Sequence, residues 1–226
     1  MKRLADWNGD NFAGGRITEL SVYKGDTYKL ELEGGQTFFI NCAIVADYDL
    51  HEGGEMDAEL LEKLQHADKM RKAKKRALYL LGSRMYCYNE LYKKLLPAYG
   101  EEASRAAADA MQEYGYIDDA DYAAKLAEKL IHGKHYGMSK ARWEMQSRGL
   151  DKNLIEDTLA EYSEDDIDEE IMRLLQTKYS EKLSDPDDRR RTIAALARRG
   201  YSYGAVKRCI ESALADEEFD PDEFEE

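Results

Sequence analysis

His132 and His135 stand three residues apart, so on a helix they share one side and could in principle hold one ligand or relay a proton. No Cys, Asp or Glu sits near them at metal-ligand spacing, and a pair of exposed histidines at a helix end accounts for them. Paired acids such as Asp118-Asp119 could serve general acid and base roles. They follow Gly115-Tyr116-Ile117 and open a helical pattern, where one of them caps the helix and sits at the favourable end of its dipole. The chain has no glycine-rich phosphate loop, dinucleotide fingerprint or nucleophile elbow. Cys42, Cys87 and Cys209 are odd in number and widely spaced, as expected of free thiols in a reducing cytoplasm. These residues lead to an expectation of no catalytic site, no metal and no cofactor.

The charge is more informative than the titratable pairs. A net charge of -14 over 226 residues looks hostile to an acidic partner. Two segments account for it: eight acids and no base over Asp216–Glu226, and six acids over Glu164–Glu170. Elsewhere the chain is patchy. Nine bases face Glu90 alone over Lys69–Lys94, and ten bases face five acids over Ile171–Leu214. Such clusters are either an electrostatic footprint or solvated helix faces. No run approaches the roughly 20 apolar residues of a membrane span. Met1–Asp10 carries no apolar stretch after its basic pair, so neither a signal segment nor membrane attachment is expected.

The elements that must carry these side chains change character along the chain. Residues 1–15 are polar and end in Gly14-Gly15, which predicts a loose terminus. Alternation over Ile17–Tyr23, Thr27–Glu33 and Gln36–Ile40, with Gly34-Gly35 between the last two, predicts a three-stranded antiparallel meander. A short helix over Ala43–Tyr48 would cover it. From Asp57 the period becomes helical and runs to a stop at Gly82-Ser83. Helix ends then recur near Gly100, Gly149 and Gly200, at offsets of 49 and 51. The predicted fold is mainly α: tandem three-helix, helix-turn-helix-like repeats in an elongated curved array, preceded by a small antiparallel β-meander domain. The corresponding boundaries are a β-rich domain over 1–56, a linking basic helix over 57–74, three-helix repeats over 75–117, 118–164 and 165–215, and an acidic disordered tail over 216–226. A single compact helical bundle is the competing architecture. Six tyrosines, Tyr99, Tyr114, Tyr116, Tyr136, Tyr201 and Tyr203, mark helix ends, where a ring packs and a hydroxyl stays wet. Trp143, between Arg142 and Arg148, is expected in the core.

Gly115, Tyr116, Ile117, Asp118, Asp119, Tyr122 and Ala123, set between helical repeats, resemble the central motif of the RecX family, regulators of the RecA recombinase. Glu90–Leu96 resembles the family's preceding helix, and Tyr136-Gly137, Glu144-Met145 and Arg148-Gly149 its second repeat. The resemblance spans roughly residues 73–214. It implies a non-enzymatic, cytoplasmic protein that lies in the helical groove of the RecA–DNA filament and limits filament growth and recombinase activity. Its partner would be the filament, with single- or double-stranded DNA met through basic patches, and the chain would act as a monomer.

Charge nominates Arg84, Arg148, Arg189, Arg190, Arg191, Arg198, Arg199, Lys207 and Arg208 for the partner surface. The acidic tail departs from that picture and puts direct DNA contact in question. The rival reading is a helical DNA-binding transcription regulator. The helices after Gly100, Gly149 and Gly200 place few Arg, Lys, Asn or Gln early, where a recognition helix needs them.

Overall fold

The computed structural model describes Leu4, Trp7 and residues 11–218. The chain divides into two compact units: Met1–Arg84 with Leu91–Tyr114, and Met85–Glu90 with Gly115–Glu226. The tail expected over 216–226 is described only to Glu218, and residues 219–226 lie outside the described residues.

In the first unit, β1 (Gly15–Lys24), β2 (Thr27–Leu32), β3 (Thr37–Asn41) and β4 (Glu55–Met56) form an antiparallel sheet in the order β3-β2-β1-β4. The meander is as its alternation predicts. The fourth strand is a correction: two residues pairing Gly15 with Met56 and Arg16 with Glu55 are too short to leave a periodic signal. Pairing of Ile17 with Leu32, and of Leu30 with Phe38, puts their side chains on one face. That face is closed by Ile44 of α1 (Cys42–Asp47) and by Leu61 and Leu64 of α2 (Ala58–Leu81). The loose N-terminus is also corrected. Leu4 and Trp7 are buried in this core, Trp7 lies against Phe38 at 5.0 Å, and Gln65 Nε2 donates to both of their carbonyls. Two apolar residues in a polar stretch carry no period, so only the waiting Phe38 face reveals their role.

Asp57 caps α2 by accepting from the Leu60 N–H at 2.7 Å. The helix then changes the face it buries. Leu61 and Leu64 meet the sheet, whereas Ala73, Ala77 and Leu80 are buried roughly half a turn away at 100° per residue. α3 (Tyr88–Glu113) is broken at Gly100 (φ 70°, ψ 178°), beside Lys69 of α2.

The second unit holds two three-helix sets: α4 (Asp119–Glu128), α5 (Met138–Arg148) and α6 (Lys152–Leu159), then α7 (Glu164–Leu174), α8 (Pro186–Arg198) and α9 (Tyr203–Glu218). α4 and α7 each run on into a π-helical turn, over Lys129–Gly133 and Leu175–Tyr179. One core joins both sets, with Leu126, Leu130, Ile131 and Met145 packed in the same cluster as Ile171, Leu174, Leu196 and Val206. Burying each such side chain contributes about 1.5–3 kcal/mol. Local capping sets where these helices begin. Asp118 accepts from the Ala120 and Asp121 N–H groups, Asp151 and Asp185 cap α6 and α8, and Ser163 with Asp166 forms a capping box on α7.

Candidate functional site: junctions and basic faces of the three-helix units

α5 lacks a side-chain cap of its own. Its first N–H groups are satisfied from the next set instead: Gly137 N–H donates to the Arg199 carbonyl at 2.8 Å and Ser139 N–H to the Gly200 carbonyl at 3.2 Å. The approach is possible only between glycines. A Cβ on Gly137 would lie 2.3–2.4 Å from the Gly200 carbonyl group and the Tyr201 nitrogen, and one on Gly200, which has φ 94°, would lie 2.5 Å from the Lys140 nitrogen. About fifty residues earlier the corresponding segments also meet, there through side-chain donors. Cys87 Sγ–H donates to the Arg148 carbonyl at 3.4 Å, and Asn89 Nδ2 donates to the Gly149 carbonyl at 2.7 Å. The Tyr88 N–H there takes its cap from Asp119 at 2.8 Å. The two acids of the central motif therefore divide the work: Asp118 caps its own helix, and Asp119 caps the helix before it. Burial lifts the Asp119 carboxyl above the ordinary aspartate range, and the hydrogen bond from Tyr88 opposes that rise.

A polar cluster seals the junction between the two sets. His132 Nδ1 and His135 Nδ1 lie 2.8 and 2.7 Å from the two oxygens of Glu170, which is only 1% exposed. A carboxylate only accepts, so each ring presents its Nδ1–H to it. Burial pushes the Glu170 carboxyl up. The two histidine bonds, with Arg173 at 3.4 Å, outweigh burial and hold it below the usual glutamate range. Arg199 donates to the Lys134 and His135 carbonyls alongside. His132 is exposed at its helix end as expected and His135 is half-buried, but the pair is not without a partner: Glu170 lies 35 to 38 residues away, inside what reads as a solvated acidic run. The buried Tyr201 hydroxyl has no protein hydrogen-bond partner among the described residues, and burial raises its pKa, with the Glu170 charge adding to the rise. Among the described residues no group of three or more His, Cys, Asp or Glu side chains is placed to hold a metal ion. All three cysteines are free, and burial raises the thiols of Cys87 and Cys209, the latter to about 11.

Both three-helix sets match one family. Residues 118–159 match the family model described as RecX, second three-helix domain, and residues 164–210 the one described as RecX, third three-helix domain. Over these two segments the chain is similar to the RecX family. Regulatory protein RecX of Clostridium botulinum (strain Alaska E43 / Type E3) is 26% identical over 212 residues, spanning 91% of this chain and 99% of that protein. Regulatory protein RecX of Bacillus subtilis (strain 168) is 26% identical over 207 residues, spanning 86% of this chain and 76% of that protein. A crystal structure of regulatory protein RecX superposes with TM-score 0.69 at 22% identity, covering 85% of this chain and 98% of that one. RecX from Lactobacillus salivarius superposes at 0.60 and 20% identity, covering 66% and 99%. At these identities the solved structures establish a shared fold.

The charge-nominated residues do not form one cluster. Arg148 Nη1 donates to the Tyr122 hydroxyl at 2.9 Å, which in turn donates to Glu90, so Arg148 braces a junction. Arg199 does the same through backbone carbonyls. Arg208 is tied to Asp168 at 3.1 Å and Glu164 at 3.5 Å, so the acidic start of α7 neutralises it. Lys207 lies 3.6 Å from Glu211. Arg84 is exposed just beyond α2 and Arg189 is half-buried on α8. Arg190 and Arg191 are exposed at the start of α8, in weak i,i+3 pairs with Asp187 and Asp188. Arg198 is exposed at its end. Residues 191 and 198 are seven apart, so they project from one face of α8 with exposed Ala194 between them. Trp143 corrects the core expectation, being 63% exposed on α5, whose buried face is Ala141 and Met145. Among the described residues no helix is long and apolar enough to cross a membrane.

Proposed function

We propose that this chain is a non-enzymatic regulator of the RecA recombinase that binds the RecA–DNA filament in its helical groove and restrains filament extension, acting as a monomer in the cytoplasm. The observation that carries the reading is the tandem match of both three-helix sets to the second and third RecX domains, together with relatives named regulatory protein RecX. The titratable groups that could suggest chemistry, Asp119, Glu170, His132 and His135, are engaged in holding junctions, which supports a binding role. The α8 face carrying Arg191 and Arg198 supplies the basic contact to acidic protein surface or DNA phosphate. A transcription-regulator reading requires the helix turns at Gly149 and Gly200 to approach a duplex. Their carbonyls are instead taken by Asn89 and Ser139 of the chain itself.

The test is the DNA-dependent ATPase of RecA with added protein. Reversal at Arg191→Glu and Arg198→Glu is expected to weaken inhibition by about tenfold or more, since like charges placed against an acidic partner repel it. Arg199 stays intact in that variant, because its loss would disturb the Glu170 junction as well as the surface. Undiminished inhibition by a variant that melts like its parent rules out the α8 face. Absence of inhibition by the parent rules out the function.

A further inference from the structure

The outer face of α8 carries more positive charge than the described residues neutralise. Its buried side is Thr192 and Leu196. Opposite them Arg190, Arg191, Ala194, Ala197 and Arg198 are exposed. The alanines thus lie between Arg191 and Arg198, which are about 10 Å apart along the helix. Arg190 and Arg191 have only weak surface pairs with Asp187 and Asp188, and Arg198 has no carboxylate partner among the described residues. Acids that could complete this face belong to the same compact unit. Residues 219–226, Phe-Asp-Pro-Asp-Glu-Phe-Glu-Glu, follow α9, which packs on α8. Eight residues reach up to about 27 Å, against about 20 Å for the whole of α8. Phe224 has acids on both sides, and Asp222 and Glu226 can stand up to about 13 Å apart, enough to meet the two arginines across the alanines. The other phenylalanines of the chain all pack: Phe12 against Phe38 at 5.9 Å, and Phe39 against Tyr23 at 4.8 Å. A segment made only for solubility would have no use for two more rings among its acids.

We infer that residues 219–226 dock on this face of α8, with Phe224 over Ala194 and Ala197 and its flanking carboxylates on the arginines, and that the chain thereby restrains its own basic surface. Each exposed ion pair is weak, but tethering makes the contact intramolecular, at an effective concentration in the millimolar range for a short linker. An acidic partner must displace the segment to reach the arginines, so its apparent affinity falls by the fraction of the time that the face is open. That regulatory consequence rests on the reading of α8 as the partner surface. The contact itself does not.

The contact is tested by paramagnetic broadening in the full chain. A nitroxide on Glu226→Cys, in a Cys42→Ser background that leaves only buried thiols, is expected to broaden the amide signals of residues 190–198 more than those of α4. The broadening should vanish at about 1 M salt, where screening acts over about 3 Å. It should also vanish when Asp220→Asn, Asp222→Asn, Glu223→Gln and Glu225→Gln are made together, and weaken with Phe224→Ala. The inference is overturned if α8 is not broadened, or if the broadening survives neutralisation of the four acids or loss of the ring. It is also overturned if the broadening arises between molecules, seen in a mixture of nitroxide-labelled and isotope-labelled chains. The consequence is tested with the RecA ATPase. The chain with its four acids neutralised is expected to inhibit at about tenfold lower concentration than the parent, as for a face open about a tenth of the time. Inhibition at equal concentrations overturns the restraint. A parent that does not inhibit removes the proposed filament role alone, since the broadening experiment contains no RecA and decides the contact by itself.

Discussion

Glu170 of α7 ties the two three-helix sets of the second unit together through a single buried carboxylate. It is held by His132 from the π-helical end of α4, His135 just beyond that turn and Arg173 from its own helix, and its charge is felt by the buried Tyr201 hydroxyl ahead of α9. Its carboxyl titrates below its unfolded value. The stabilisation it supplies is therefore present above about pH 4 and lost as pH falls through the lowered value. Glu170→Gln is expected to cost about 2 kcal/mol at pH 7, in line with hydrogen bonds to a buried charge. The gap from the parent should close below the glutamate range, where the parent is itself neutral. Urea midpoints measured across that range check both; a gap that persists in acid would mean that shape rather than charge holds the junction.

Among the elements, the middle helices differ in who caps them. The first turn of α3 and that of α5 rely on the three-helix set that follows, while α8 has its own Asp185 and Pro186. Stacking is thereby tied to helix formation, since a middle helix detached from its neighbour exposes N–H groups with no partner. Gly137→Ala should be destabilising by about 3 kcal/mol, because the added methyl meets fixed backbone that cannot yield. Asp118→Ala, which removes only a local cap, should cost about 1 kcal/mol. Chemical denaturation of both variants checks the ranking, and a milder effect for Gly137→Ala would show that the two backbone segments can move apart.

For the whole molecule, two cores in one chain offer two reporters. Trp7 is 9% exposed in the core of the first unit, whereas Trp143 is already solvent-exposed in the second. With Trp143→Phe, tryptophan emission reports the sheet unit alone and far-UV circular dichroism reports chiefly the helices. Gly137→Ala in that background is expected to move the dichroism midpoint to lower urea while the emission midpoint stays put, giving transitions that no longer coincide. A joint shift would show that the two units unfold as one.

Much of this was legible in the chain itself. The glycine and aspartate joints, the alternating strands and the start and stop of α2 are short-range signals, each decided by backbone geometry and hydrogen bonds within a few residues. The period near fifty disclosed the repeat. Contacts between residues far apart in sequence left no such trace. Gly137 reads as one more helix start until Gly200 is laid against it, His132 and His135 look unpartnered until α7 delivers Glu170, and Leu4 and Trp7 look stray until Phe38 receives them. Local chemistry therefore set where each helix and strand begins and ends. Which faces meet was decided only by packing, because burial and close approach belong to pairs of residues that the linear order does not bring together.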